Sequence, residues 1–440
     1  MKYTYAQALG WLALYSILAL LPLAIVFVGT APPARSFWVE LGVGLGFVGL
    51  AMMGLQFVLT GRFKSFASGM GLDNMLQFHR QAGMVAIGFI MAHPVVLIAA
   101  EPAYAVFFDP TVNAPRAVAL TVVSISVLAI AATTLWRQSF GIPYEWWRAA
   151  HGGLAFLIVV IGLGHVLMVG YYVDVLWKQL VWIGVTGGAL ALLMYGRVIR
   201  PWLLSKRPWV VDDVRPEKGS SWTVRLRPKG HDGLDFEAGQ FCWLTVGPTP
   251  FTLQQHPFTV ASSAECPDGI EFTIKELGDF TATIGDIPSG TSAFVEGPFG
   301  AFTLDESTAD DGAVFLSAGV GITPVMSMLR TLRDRGDMPP FQLVYGNRSV
   351  DDAIFFDRIN DMARKLPLEV VHVLEEPPDD WDGHRGMITA ELLDDVLWDD
   401  DGRRRYYVCG PGPMMDVVEQ YLVDRGIDGR RIFSERFAIV

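Results

Sequence analysis

Residues 75–100 read MLQFHRQAGMVAIGFIMAHPVVLIAA, and residues 147–172 read WRAAHGGLAFLIVVIGLGHVLMVGYY. Each stretch is long and apolar enough to cross a bilayer, which takes roughly 20 residues of helix. Each also carries two histidines at one spacing: His79 and His93 in the first, His151 and His165 in the second, 14 residues apart in both. At 3.6 residues per turn that separation is nearly four turns, so each pair shares one helix face with its members about 21 Å apart along the axis.

Four further apolar segments, at 8–29, 36–60, 116–136 and 177–199, bring the expected spans to six. Six crossings return the chain to the side on which it starts. Lys2, Arg62, Lys64, Arg80, Arg137, Arg148, Arg197, Arg200, Lys206 and Arg207 lie at alternate span ends, against Arg35, Arg116 and Lys178 at the others. By the positive-inside rule both termini are expected in the cytoplasm of a multi-pass inner (cell) membrane protein. Lys2 alone precedes the first apolar run and no clean small-residue cleavage pattern follows, so that run is expected to stay as a span rather than act as a signal peptide.

Spans three and five run in the same direction, which lets His79 meet His151 at one depth and His93 meet His165 at the other. Histidines inside spans are costly and usually functional. One alone often serves as an interhelical hydrogen-bonder, but two equal spacings in two parallel spans are hard to explain that way. Ligands four turns apart cannot share one zinc ion, whereas iron in a planar macrocycle accepts axial imidazoles. The geometry therefore suits two haems. Gly83, Gly88, Gly152, Gly153, Gly162 and Gly164 would let flat rings approach the helices, and they equally suit plain helix packing. Phe89 and Phe156 lie between the ligand positions in sequence.

Composition divides the chain. As far as Ser205 there are 11 Lys/Arg against 6 Asp/Glu, net +5, and beyond it 23 against 40, net −17. The acidic part argues against nucleic acid as a partner. Cys242, Cys266 and Cys409 lack paired spacing, which argues against a disulfide framework or zinc cluster. From about Trp209 the pattern turns to period two, with SWTVRLRP, GQFCWLTV and IEFTIKEL reading as strands of a small antiparallel barrel. After Gly312, strands AVFLSAG, FQLVYGN, LEVVHVL and RRYYVCG alternate with helical stretches, a parallel α/β nucleotide-binding layout. The expected fold class is thus a multi-domain membrane protein: a six-helix transmembrane bundle at 1–205, an antiparallel β-barrel at 206–308 and a Rossmann-like α/β domain at 309–440.

His256-Pro257-Phe258-Thr259 follows Gly239-Gln240-Phe241 and ends a predicted strand. Phe258 offers an aromatic face and Thr259 a hydroxyl for a flavin ring. Gly278-Asp279-Phe280-Thr281 opens a predicted helix whose free N–H groups suit a pyrophosphate, although an ordinary turn looks similar. Gly319-Val320-Gly321-Ile322-Thr323-Pro324 sits between a strand and an amphipathic helix, where glycines permit close approach to a nucleotide. In Gly346-Asn347-Arg348-Ser349 a guanidinium can pair with a ribose phosphate, which favours NADPH; Asp351 and Asp352 weigh towards NADH.

With these residues in order, the chain resembles the ferric reductases and prokaryotic NADPH oxidases, in which a six-helix cytochrome b is fused to a ferredoxin-reductase-like dehydrogenase. The likeness spans nearly the whole length: His79-Arg80 through His93-Pro94, the paired fifth span, HPFT, VEGPFG (295–300), GVGITP, CGPGPMM (409–415) and the terminal SERF. The resemblance implies haem iron held by His79, His93, His151 and His165. It implies FAD contacts from Gln240, His256, Pro257, Phe258, Thr259, Lys275, Gly278 and Thr281. Nicotinamide-nucleotide contacts are implied for Gly319, Gly321, Thr323, Pro324, Arg348, Cys409, Gly410 and Pro411, with Phe437, Thr259 and Cys409 at the reacting centre. Ferredoxin reductases usually carry Arg where this chain has His256, and Ala438, Ile439 and Val440 extend beyond the candidate flavin-stacking Phe437.

The activity expected is transfer of electrons from cytosolic NAD(P)H through FAD and two haems to an extracytoplasmic acceptor. Dioxygen, giving superoxide, is favoured because the loop at 101–115 is short for a bulky ligand; Glu101 and Asp109 keep a ferric chelate in view. A histidine-relay transporter or channel with a flavin redox sensor would bind flavin without haem. An electron-donor subunit for a periplasmic reductase would turn over small acceptors slowly. No obligate protein partner is evident.

Overall fold

The computed structural model describes residues 5–29, 32–62, 72–266, 268–304, 308–336, 339–400 and 402–436. Lys2, Lys64 and Phe437, which carried expectations about topology and the flavin, lie outside the described residues. The chain forms two compact units, one built from the helices as far as Arg200 and the other from Pro201 onward.

The first unit contains α1 (Tyr5–Ala24), α2 (Phe37–Leu59), α3 (Leu72–Ala100), α4 (Pro110–Trp136), α5 (Tyr144–Val169) and α6 (Leu176–Met194). Six helical segments are long and apolar enough to cross a membrane: Leu9–Phe27, Phe37–Leu59, Met75–Ala100, Pro110–Trp136, Tyr144–Val169 and Leu176–Leu204. The last runs on through a π-turn at Tyr195–Ile199. The chain is an integral membrane protein. α2 is the most buried span, because glycines along GVGLGFVG let its neighbours close in: a Cβ on Gly42 would stand 2.9 Å from Leu97, one on Gly49 2.9 Å from Ile90. Ser36 caps α2 by accepting the Val39 N–H, and Gly170, in the left-handed conformation, ends α5.

The expected loop at 101–115 is more ordered than its sequence suggests. Pro102–Phe108 winds as a 3-10 helix, and α4 begins at Pro110, with Asp109 as its cap and a break in helical geometry at Asn113. Proline at the first helical position loses no hydrogen bond, so Pro102 and Pro110 start helices here rather than block them.

The second unit has two lobes. Strands β1 (Trp209–Glu217), β2 (Ser221–Pro228), β3 (Phe241–Val246), β4 (His256–Thr259), β5 (Ile270–Lys275) and β6 (Ser292–Phe299) form an antiparallel sheet in the order β4-β3-β6-β1-β2-β5. A bridge between Val260 and Phe272 draws its two edges together, which gives the sheet its barrel form. In the second lobe, β7 (Ala313–Ala318), β8 (Phe341–Asn347), β9 (Leu368–Leu374), β10 (His384–Arg385), β11 (Arg405–Cys409) and β12 (Ile432–Glu435) are all parallel, in the order β10-β9-β8-β7-β11-β12. Helices α7 (Ile322–Arg335), α8 (Phe356–Ala363), α9 (Ala390–Val396) and α10 (Gly412–Asp424) connect them. β7 and β8 are buried on both faces, as the continuous apolar runs predict.

α7 clasps the barrel lobe to the parallel sheet. Ser327 Oγ donates to the Ser262 carbonyl at 2.7 Å, and Arg330 reaches the Ala261 carbonyl at 2.8 Å and the Glu271 carboxylate at 2.9 Å. Arg215 completes the pairing of Glu271 from β1. Burial raises the pKa of Glu271, but Arg330 and Arg215 more than offset that and hold it below the usual carboxylate value.

Candidate functional site

In the membrane unit His79 meets His151 and His93 meets His165, as their spacing predicts. The rings of His79 and His151 have centres 6.2 Å apart, and those of His93 and His165 6.4 Å apart. An imidazole nitrogen binds a metal at about 2.0–2.1 Å, so two imidazoles on opposite sides of one ion have ring centres roughly 6.3 Å apart. Both pairs match that separation. Among the described residues no group of three or more His, Cys, Asp or Glu converges on one point. Each pair thus brings two imidazoles together.

The surroundings of the pairs differ. His93 Nδ1 lies 2.8 Å from the carbonyl oxygen of Gly42, while the Nδ1 atoms of His79 and His151 are buried with no hydrogen-bond partner among the described residues. A cavity of about 180 Å³ adjoins the His93–His165 pair and is lined by residues that include Gly46, Pro94, Leu120 and Ile161. Arg35 also lines it and donates to the hydroxyls of Tyr104 (2.9 Å) and Tyr172 (3.3 Å). Phe107, from the 3-10 turn, lies edge-on to His165 with ring centres 6.0 Å apart, and Arg116 stacks over Phe107 at 4.4 Å. At the other pair, Trp147 lies 5.1 Å from His151 and Arg148 sits over Tyr144 at 5.9 Å.

The six glycines singled out near the histidines divide. A Cβ on Gly162 would stand 2.7 Å from Leu50, so that glycine serves helix packing, while those on Gly88, Gly153 and Gly164 would enter open space. Phe156, between His151 and His165 in sequence, is 38 % exposed, and Phe89 packs in the cluster with Ala82 and Ala86. Gly42 and Gly46, which the sequence reading passed over, are the ones in contact with a histidine's surroundings.

In the barrel lobe, HPFT forms the edge strand β4, with His256 opposite Leu244 and Thr259 opposite Phe241. Thr259 is buried, and Pro257 and Phe258 are half-buried. His256 stacks on Phe280, with centres 4.2 Å apart and planes 15° from parallel, a partnership that spacing alone did not reveal. Gln240 is occupied locally: its side-chain oxygen accepts the Glu237 N–H and its carbonyl accepts the Val260 N–H. Lys275 ends β5 opposite Ser221. The helix expected after Gly278 is a short 3-10 turn, Thr281–Asp286. Thr281 Oγ1 already accepts the N–H groups of Leu277 and Gly278, at 2.8 and 2.9 Å.

In the parallel lobe, the glycine turn after β7 meets the end of β11. A Cβ on Gly321 would stand 2.3 Å from the Cys409 carbonyl oxygen, and one on Gly410 2.8 Å from Met414 Sδ. Gly319 has φ +54° with open space at its Cβ position. Thr323 and Pro324 are buried in the first turn of α7, where Thr323 Oγ1 donates to the Val320 carbonyl at 3.0 Å. Cys409 is fully buried, and Pro411 caps α10. Arg348, just beyond β8, is exposed and pairs with Glu376 at 3.0 Å; the carboxylate holds its pKa above the ordinary value.

Three family models match the chain. The ferric reductase like transmembrane component covers residues 45–162, an FAD-binding domain 221–303 and an oxidoreductase NAD-binding domain 315–420. Similar curated proteins include the NADH oxidoreductase HCR of Escherichia coli, 30% identical over 52% of this chain and 68% of that protein. The propane 2-monooxygenase reductase component of Rhodococcus jostii is 30% identical over 52% of this chain and 62% of its own length. The corresponding component of Mycolicibacterium goodii is 26% identical over 51% and 65%. The chain thus spans a little under two thirds of these two reductase components. Among solved structures, the Amycolatopsis cytochrome P450 reductase GcoB is similar at 25% identity, covering 52% of this chain and 69% of that one with a TM-score of 0.46.

Proposed function

We propose that this chain, which belongs to the ferric reductase-like transmembrane oxidoreductases fused to ferredoxin-reductase-type FAD and NAD modules, moves electrons from cytosolic NAD(P)H through FAD and two b-type haems to dioxygen on the far side of the cell membrane. It is a flavin-dependent NAD(P)H oxidoreductase embedded in a membrane. The observation that carries the haem reading is the repeated histidine pair, 6.2 and 6.4 Å between ring centres at two depths of the same two helices. Bound flavin supplies the conversion of a hydride into single electrons, and bound haem supplies one-electron relay.

The chain's own part is to bind, orient and exclude. His79 and His151 would hold one iron, His93 and His165 the other. β4, with His256 stacked on Phe280, presents the flavin wall. The Gly319–Gly321 turn, with open space at Gly319, precedes the N-terminus of α7 that would receive a pyrophosphate, and Cys409 and Gly410 bring the end of β11 against it. Arg348 would read a 2′-phosphate, which favours NADPH, with its pairing to Glu376 working against it.

Superoxide formation is preferred to reduction of a ferric chelate because Phe107 stands against His165 with Arg116 stacked over it. That cover admits a small neutral acceptor more readily than a bulky complex.

An anaerobic visible spectrum of the detergent-purified protein with FAD, taken before and after NADPH, tests the reading. Reduced b-type haem bands should appear, halve in His79→Ala and in His93→Ala, and give superoxide on admission of air. Flavin bleaching with no haem band would instead put the histidine-relay reading first. Ferric reduction unchanged under anaerobic conditions, with no superoxide in air, would overturn the choice of acceptor.

A further inference from the structure

We infer that α2 carries the seat of one axial histidine: Gly42 and Gly46 together fix the ring of His93 so that its Nδ1–H donates to the Gly42 carbonyl and its Nε2 is left for iron. The inference rests on the proposed haem ligation by His93.

Three observations converge. His93 Nδ1 is 2.8 Å from Gly42 O, across 51 residues of sequence. A Cβ on Gly46 would stand 2.6 Å from the same Nδ1, 2.9 Å from Cε1 and 3.0 Å from Cγ, so the Nδ1 side of the ring occupies the space that a side chain at that residue would take. Gly44, between them, has only Leu23 as a neighbour, at 3.9 Å, so the requirement for a bare Cα belongs to particular positions and not to the helix as a whole. A helix carbonyl is normally shielded by the side chains around it. Here residue 46, one turn on from residue 42, lies over that carbonyl, and its lack of a side chain opens the path to the histidine.

The chemical consequence is an asymmetry between the two sites. A ligating imidazole that donates its remote N–H to a carbonyl has a fixed tautomer and greater basicity, and losing such a partner typically costs 10–100-fold in metal affinity. His79 and His151 have no such partner among the described residues. The His93 site is therefore the one whose ferric form is stabilised by the protein, and its midpoint potential is lowered relative to the same ligand pair without the hydrogen bond.

The test is Gly46→Ala, with Gly44→Ala as the control that adds the same methyl to the same helix. Each purified full-length protein is examined for haem per chain, for low-spin ferric EPR signals and for midpoint potentials by anaerobic titration. The expected result is that Gly46→Ala either loses the His93 haem, with about 10–100-fold weaker retention, or keeps it with a raised potential and a displaced EPR signal. Gly44→Ala and the other haem should be unmoved. Wild-type protein holding two haems whose signals are the same in Gly46→Ala would overturn the inference and leave the haem reading intact. Wild-type protein with no haem would sink the haem reading itself. Should Gly46→Ala not fold, ENDOR on wild-type protein with ¹⁵N-histidine reads the remote proton directly: an axial imidazole with a strongly hydrogen-bonded Nδ1–H supports the seat, and four equivalent, weakly bonded imidazoles refute it.

Discussion

A Cβ on Gly321 would stand 2.3 Å from the carbonyl oxygen of Cys409, so the turn that follows β7 and the end of β11 touch backbone to backbone. Neither partner is a flexible side chain that can swing aside. Gly321→Ala must therefore separate the two strand ends, and with them the proposed pyrophosphate and nicotinamide contacts. A misplacement of about 1 Å costs on the order of 100-fold in a positioned reaction. Stopped-flow reduction of the flavin by NADPH should slow by about that factor, while reduction of the same flavin by dithionite stays at the wild-type rate. Equal rates with NADPH would show that the turn does not position the nucleotide.

Arg348 and Glu376 make a second test possible. Their contact is exposed and screened by solvent, so what it withholds from a bound phosphate is small, about a few-fold in affinity. Glu376→Gln frees the guanidinium, so NADP⁺ should bind a few-fold more tightly, with NAD⁺ changed little. Arg348→Ala should weaken NADP⁺ selectively. Calorimetric titration of both nucleotides measures the ratio, and a ratio indifferent to both substitutions would remove Arg348 from nucleotide selection.

Glu271 gives an expected pH dependence. Its folded-state pKa is lowered by Arg330 and Arg215 in spite of burial, so the unfolded chain binds the proton more readily. The stability it contributes is complete above the ordinary carboxylate pKa of about 4.3 and is lost as pH falls through the lower folded value. Thermal release of flavin fluorescence from the full-length protein should shift to lower temperature across that acid range. In Glu271→Gln the shift should be smaller, with a lower transition temperature at neutral pH because Arg330 is left half-buried without its carboxylate. Parallel acid profiles in the two proteins would exclude Glu271 as the group responsible.

Much of the architecture can be read along the chain because it depends on local periodicity. Six apolar runs became six spanning helices within a few residues at most ends; the larger differences, at the start of α4 and the close of α6, reflect prolines that begin helices and a π-turn that continues one. The strand–glycine–helix order around Gly319 and Gly321 was equally plain. What was missed is directional. Gly278 to Thr281 has the composition of a helix start, yet Thr281 Oγ1 turns back onto the N–H groups of Leu277 and Gly278. Phe156 falls between His151 and His165 in sequence but is 38 % exposed.

The 14-residue interval between histidines, repeated in two spans of the same direction, is a property of the sequence alone, since helix pitch converts residue number into depth and face. The composition break near Ser205 and the glycine-rich turn after an apolar strand are determined in the same way. Only the tertiary structure decided which partner each of these groups meets: the carbonyl of Gly42 for His93, Phe280 for His256, Glu376 for Arg348. Those contacts depend on the rotation of one helix against another and on loop closure between strands. Such quantities are set by the packing of many side chains at once, and no local spacing records them.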